Sequence, residues 1–438
     1  MKVLKFGGTS VGSSERMKDV AKLISDKEQK IVVLSAMSGT TNKLVEISDY
    51  FYKDNTSGAL EQINKLERKY LKIIEELYST EKYKAESEKY IKTRFEYLRS
   101  FSKSVFTLFE EKAILAQGEL LSTFMFHLYL LESGEDSAFL PALDFMRIDK
   151  NSEPDTTFIS ENIEKQLKAQ PDKLIYVTQG YICKNIYGEI DNLQRGGSDY
   201  TASLIGAAIK AEEIQIWTDI DGMHNNDPRF VEGTKPFPFL HFEEAAEMAY
   251  FGAKILHPTC ILPAKLNNIP VRLLNTMDPK AAGTLISLKG KKGTIQAVAA
   301  KDGITAIKIK SGRMLLAHGF LRRVFDIFES NKTSIDMITT SEVGVSVTID
   351  NTKRLDEILN SLKKLGTVSV NKEMVIICIA GDLPSSNIGI QAKAVNALRN
   401  IPIRMISYGG SKYNISLLID KSYKKEALNA LSKELFAD

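Results

Sequence analysis

Lys5-Phe6-Gly7-Gly8-Thr9-Ser10-Val11 stands at the end of an apolar run that opens at Val3. Val3–Phe6 reads as a buried strand, and the paired glycines after it let backbone N–H groups come close to phosphate oxygens. A helical pattern follows, with Met17, Val20, Ala21 and Ile24 on one face and Ser13 or Ser14 placed to cap it. A helix N-terminus behind a glycine pair carries partial positive charge, and Lys5 supplies a full one. The G-x-x-x-x-G-K-[ST] spacing is absent, so this is not a P-loop. An ordinary strand-to-helix turn would also use such a pair, so the segment needs company.

Working outward, Ile31–Leu34, Leu174–Val177 and Ile214–Trp217 are further short apolar runs separated by helical patterns. Strands of that kind, alternating with helices, predict a three-layer α/β domain with a mainly parallel sheet over residues 1–290. A long charged stretch without proline, Leu60 to Glu111, interrupts the alternation. It predicts an inserted helical hairpin or lid over about 57–115. The break at Leu288-Lys289-Gly290-Lys291-Lys292-Gly293 ends this style. Beyond it the pattern reads βαββαβ over 304–371, then a second unit over 372–438 that is one strand short. An open sheet edge invites aggregation, and the apolar segment 294–300 is free to close it. Two interleaved ferredoxin-like domains are therefore expected.

The chain has 438 residues, 43% hydrophobic and 26% charged, which suits two or three globular domains. With 58 Lys+Arg against 55 Asp+Glu the net charge is only +3, which speaks against a nucleic-acid partner. Cys183, Cys260 and Cys378 form no C-x-x-C pair, and His127, His241 and His257 have no metal-ligand spacing. No metal site is expected. The N-terminus lacks a signal-peptide pattern, and no apolar run approaches a membrane span, so a cytoplasmic protein without a membrane partner is expected.

Other segments carry candidate chemistry. Gln194-Arg195-Gly196-Gly197-Ser198-Asp199-Tyr200-Thr201 is a second glycine pair before a helix, and Arg195 has the planar fork that suits a carboxylate. Ser198 or Asp199 would equally serve as a helix cap. Trp217-Thr218-Asp219-Ile220-Asp221-Gly222 and Asn226-Asp227-Pro228-Arg229 follow a buried strand, where α/β proteins bind ligands, although both are also ordinary turn sequences. Lys254 sits in apolar surroundings within Phe251–Pro258, and Glu119 opens an otherwise apolar helix face.

Taken together, these segments resemble aspartate kinase of the amino-acid-kinase family, over essentially the whole chain and in the same order. Lys5–Val11 resembles that family's opening signature. Gly118-Glu119, Arg195–Asp199, Thr218-Asp219 and Phe251–Lys254 are similar to its later motifs. The C-terminal units resemble paired ACT regulatory domains, and Asp336–Glu342 resembles the lysine-responsive, single-function branch. One departure is His224, which stands where the family often has a tyrosine near the nucleotide.

The resemblance implies transfer of the ATP γ-phosphoryl group to the β-carboxylate of L-aspartate, with Mg²⁺ on the nucleotide, as the first step toward lysine, threonine and methionine. It assigns Lys5 and Asp199 to catalysis and Gly7, Gly8, Thr9, Ser10, Gly196 and Gly197 to phosphate binding. Ser35, Thr41, Glu119, Arg195 and Ser198 would hold aspartate, Glu119 by its α-ammonium and Arg195 by its α-carboxylate. Thr218, Asp219, His224, Arg229 and Lys254 would form the nucleotide side. Met314, Gly319, Phe320, Ser334, Asp336, Ser341 and Glu342 would take an effector, lysine first and threonine as the alternative, at an interface between the C-terminal units of two subunits. The rivals are a relative acting on glutamate, N-acetylglutamate, carbamate or UMP, and a non-catalytic amino-acid sensor on the same fold.

Overall fold

The computed structural model describes residues 1–103, 105–193, 196–251, 258–289, 295–312, 318–383 and 388–436. The chain forms two compact units: Met1–Met223 with Leu256–Leu288, and His224–Ile255 with Lys289–Asp438. The expected boundary near 290 is therefore crossed by one segment, His224–Ile255, which groups with the C-terminal unit.

Within the first unit the large sheet runs Ser137–Leu140, Ile175–Gln179, Lys30–Leu34, Lys2–Phe6, Ile214–Thr218, Val271–Asn275 and Thr284–Ser287. The pairings are parallel up to Val271–Asn275, and Thr284–Ser287 closes antiparallel. Lys30–Leu34 is buried along its length, which explains why its apolar run is continuous rather than alternating. Lys30 itself is buried there, its ammonium held by the Ile24 carbonyl and the Asp26 carboxylate. The first helix, Ser14–Ile24, starts where Ser13 Oγ accepts the Arg16 N–H at 3.3 Å.

The charged stretch forms two helices, Thr56–Leu77 and Glu81–Ser100, packed on each other. They are a hairpin but not a lid: Tyr70, Ile74, Phe95 and Leu98 are buried in the same core as Phe6 and Leu34. The Tyr70 hydroxyl also lies 3.0 Å from Thr40 Oγ1. Leu108–Glu132, which starts at a capping box of Thr107 and Glu110, is long and apolar enough to cross a membrane by length and composition. Contrary to expectation, the chain thus does contain such a helix. Its apolarity is used in the core, where it packs on the sheet and on the helices Thr40–Tyr52 and Glu81–Ser100.

The second unit is built on a six-stranded antiparallel sheet in the order Ile338–Ser341, Gly344–Ile349, Ile295–Lys310, Thr367–Gly381, Asn414–Asp420, Ile403–Tyr408. Two strands are twice the expected length. Thr305 to Lys310 pairs with Gly344–Ile349 on one side, while Ala297–Ala300 pairs with Ile377–Ala380 farther along. One long strand thus serves both halves, and 294–300 reads as a separate strand only in sequence. Each half has its own apolar core: Ile307, Phe320, Val324, Phe328 and Val347 in one, Val298, Ile377, Leu417, Leu428 and Leu431 in the other.

Candidate active site

Three parallel strands end side by side and deliver Lys5, Ser35 and the Gly180-Tyr181 turn to one cleft of about 470 Å³. This is the carboxyl edge of the sheet, where open α/β folds place ligands. Gly8, Thr9, Thr41, Glu119, Gly196, Gly197, Ser198 and Asp199 also line it. Gly8 is required by proximity: a Cβ there would lie 2.7 Å from the Ala36 carbonyl oxygen. Gly7 stands just behind, where a Cβ would meet Lys5 Nζ at 3.5 Å.

Lys5 and Asp199 form an ion pair at 2.7 Å, with only 12% and 14% of their side chains exposed. The first strand aims the lysine, and the Gly197–Ile209 helix carries the aspartate in its first turn. Glu119 enters from the middle of the Leu108–Glu132 helix and is 4% exposed. Its Oε1 accepts the Ala36 N–H at 3.0 Å, whereas Oε2 is buried without a hydrogen-bond partner among the described residues. Burial pushes the Glu119 carboxyl up to about 8, against the pull of the Ala36 N–H and the Lys5 charge. The cleft thus joins a cation between two glycine loops to a carboxylate with an unused oxygen. It suits a phosphate group beside a ligand bearing an ammonium.

Not every expected site residue lines this cleft. Ser10 is fully buried and its hydroxyl lies 2.7 Å from Thr276 Oγ1, so that side chain is turned into the core. Thr218 ends its strand with Oγ1 donating to Asp219 Oδ1 at 3.1 Å, and neither residue is a cleft wall. His224 and Arg229 belong to the second unit. There His224 Nδ1 lies 2.9 Å from Thr234 Oγ1, and Arg229 forks onto Asp227 at 2.6 and 2.9 Å. Arg195, Lys254 and Met314 lie outside the described residues.

The expected effector residues divide. Gly319 caps the Phe320–Ser330 helix at φ 80°, while Phe320 is 3% exposed in the apolar core rather than open to a ligand. Ser334, Ser341 and Glu342 frame the short strand Ile338–Ser341, with Ser341 and Glu342 exposed. Asp336 is neither free nor solvated. Its side chain is 1% exposed, paired with Lys301 at 2.7 Å, and its Oδ1 accepts the Tyr250 hydroxyl at 2.9 Å. Asp350 flanks Lys301 at 3.0 Å.

A cleft residue that the sequence did not single out is Tyr181. It lies next to Gly197 on a turn with φ +67°, and no local signal in Gln179-Gly180-Tyr181-Ile182 announces that conformation.

Such a sheet edge, with two glycine loops around a half-buried lysine–aspartate pair, defines a phosphotransferase of the α/β type. The amino acid kinase family model matches residues 1–275, and an ACT domain model matches residues 377–435. Aspartokinase 1, chloroplastic, of Arabidopsis thaliana is 34% identical over 99% of this chain and 80% of its own. Lysine-sensitive aspartokinase 3 of Escherichia coli strain K12 is 32% identical over 99% of both chains. The crystal structure of E. coli aspartokinase III in complex with aspartate and ADP, an R-state, superposes with a TM-score of 0.87 at 32% identity over the whole of both chains. The same enzyme in complex with lysine and aspartate, a T-state, gives 0.83. The chain belongs to the amino acid kinase family and, within it, to the aspartokinases.

Proposed function

We propose that this chain transfers the γ-phosphoryl group of ATP to the β-carboxylate of L-aspartate, giving 4-phospho-L-aspartate and ADP. The observation that carries the reading is the unpartnered Oε2 of Glu119, buried in the cleft that also holds the Lys5–Asp199 pair. An amino-acid ammonium pairs that oxygen, and the glycine loops and Lys5 receive the anionic end. The E. coli relative crystallised with aspartate and ADP supports the same assignment.

The reaction brings two anions together, so positioning and charge neutralisation are the main demands on the protein. A carboxylate is ionised at neutral pH, and no general base is required. Lys5 neutralises charge on the phosphoryl in transit, and Asp199 holds the lysine ammonium in place. Ser35, Thr41 and Ser198 offer hydroxyl donors at the cleft wall. Mg²⁺ would arrive on the nucleotide phosphates and share in the charge neutralisation.

Feedback inhibition by lysine, a role at the head of lysine, threonine and methionine synthesis, and a cytoplasmic location belong to the same proposal. The lysine-sensitive E. coli relative supports the first, and three buried cysteines outside any disulfide support the last. Self-association through the C-terminal unit would cover strands left at the sheet edges, where Ile406 and Tyr408 are 44% and 42% exposed. The test is ADP release coupled to an optical readout, with aspartate, glutamate and N-acetylglutamate as acceptors, with and without lysine. Aspartate alone should support turnover; turnover with glutamate instead would transfer the chain to another branch of the family, and none with any acceptor would favour a sensor.

A further inference from the structure

Gly180, Tyr181 and Ile182 form a three-residue turn. The Ile182 N–H donates to the Gly180 carbonyl at 2.7 Å, with Tyr181 at φ +67° between them. Turns of this hand are rare and strained, and a tyrosine is an unlikely occupant where glycine would sit without cost. The conformation is held from every side. Gly180 N–H donates to the Leu34 carbonyl at 2.9 Å, Leu193 N–H to the Tyr181 carbonyl at 2.7 Å, and Tyr181 N–H to Thr201 Oγ1 at 2.9 Å. Thr201 Oγ1 in turn donates to the Gly197 carbonyl at 2.8 Å, which ties the turn to the second glycine loop.

The two segments also press on each other. A Cβ on Gly197 would lie 2.4 Å from the Tyr181 ring, and a Cβ on Gly180 would lie 2.5 Å from the Ser198 side chain. Each side of the contact therefore admits only glycine opposite the other's side chain. Tyr181 lines the cleft together with Ser198, Asp199 and Glu119. Burial, with the charge of Glu119 adding to it, raises the phenol to about 12, so at neutral pH the group acts by shape and not by charge.

We infer that Tyr181 is a positioning residue: its ring, held out by a strained turn at the end of a central strand, braces the Gly196–Asp199 loop so that Asp199 keeps Lys5 aligned for transfer. Strain of this kind persists where the surroundings over-determine the backbone, and such places cluster at functional sites. Glycine at 181 would fold into the turn more readily but would remove the brace. The inference rests on the kinase reading of the cleft.

The experiment compares wild type with Tyr181→Gly, Tyr181→Asn and Tyr181→Phe by steady-state kinetics and thermal unfolding. Glycine and asparagine both accept positive φ, so each removes the ring without demanding a new backbone. The inference expects kcat to fall roughly 10- to 100-fold in both, because small misplacements at a reacting centre are costly, with KM for aspartate and ATP moved less. It expects Tm at or above the wild-type value for the glycine variant and near-wild-type kinetics for Tyr181→Phe. Wild-type kcat in either ringless variant would overturn it. So would a kcat loss matched by a fall in Tm or by insolubility in both, which marks a structural part only, or an equal loss in Tyr181→Phe, which makes the hydroxyl the active group. A wild-type protein without aspartate-dependent ADP release would instead overturn the kinase reading itself.

Discussion

Glu119 makes the affinity for aspartate depend on pH in a way that its position dictates. The carboxyl is buried, one oxygen is held by the Ala36 N–H, the other has no partner, and burial pushes it up to about 8. Only the ionised form can pair with the substrate ammonium. In the free protein the ionised fraction is about 1% at pH 6, about 10% at pH 7 and half at pH 8. The apparent affinity for aspartate should therefore rise about fifty-fold between pH 6 and pH 8, nearly tenfold per unit at first and then flattening. Binding should also release close to one proton at pH 7, because the bound ammonium draws the carboxyl back to its ionised form. Isothermal titration of aspartate in buffers of different ionisation enthalpy reads both quantities, and Glu119→Gln should abolish the slope and the proton release together. An affinity that is flat from pH 6 to pH 8, or proton uptake on binding, would refute the pairing of Glu119 with the ammonium.

Three further outcomes are expected. Lys5→Ala should lower kcat by roughly 10²-fold or more while aspartate binding, followed by calorimetry, changes little; a near-wild-type kcat would remove Lys5 from the transfer step. Gly8→Ala places a methyl 2.7 Å from a backbone oxygen, so the loop must shift, and kcat should fall while circular dichroism shows the fold retained. Lys301→Met strands the buried Asp336 carboxylate, which should cost about 3–5 kcal/mol in denaturant unfolding. Free lysine at millimolar concentration should then raise Tm more in this variant than in wild type, since its ammonium can replace the lost one; equal shifts would detach effector binding from Asp336.

The linkage of Glu119 to stability has a definite sign as well. Its folded-state value lies above the usual 4.5, so the folded protein holds a proton that the unfolded chain has already lost. The apo protein should lose stability as pH rises from 4.5 toward 8, by up to ~5 kcal/mol, and Glu119→Gln should remove that part of the trend.

What was legible in the sequence followed from short-range physics. Lys30–Leu34 was visible because a strand buried on both faces is apolar along nearly all its length, and Ile214–Thr218 because Ile214, Ile216 and Trp217 are buried. Lys5 and the two glycine pairs were visible because a backbone that approaches an anion leaves glycines behind. Four things were hidden because they depend on partners far away in the chain. Tyr181 owes its left-handed turn to Leu34, Leu193 and Thr201, and nothing adjacent to it signals that. The resemblance gave Asp336 to an effector, yet its charge is answered by Lys301, thirty-five residues earlier, and by Tyr250. The fusion of 295–300 with 304–310 into one strand depends on Thr367–Gly381 running beside both. Ser10 was placed among the phosphate ligands by its motif, whereas Thr276, 266 residues away, claims its hydroxyl.

The central claim is that a carboxyl group accepts the phosphoryl in the cleft between Lys5 and Glu119. An acyl phosphate is trapped by hydroxylamine as a hydroxamate, which a ferric-ion colour reaction or mass spectrometry identifies. Incubation with ATP, Mg²⁺, L-aspartate and hydroxylamine should yield the β-hydroxamate of aspartate in step with ADP, and succinate in place of aspartate should yield almost none, because it leaves Glu119 unpaired. ADP formed without hydroxamate, or hydroxamate formed as readily from succinate, would contradict the account.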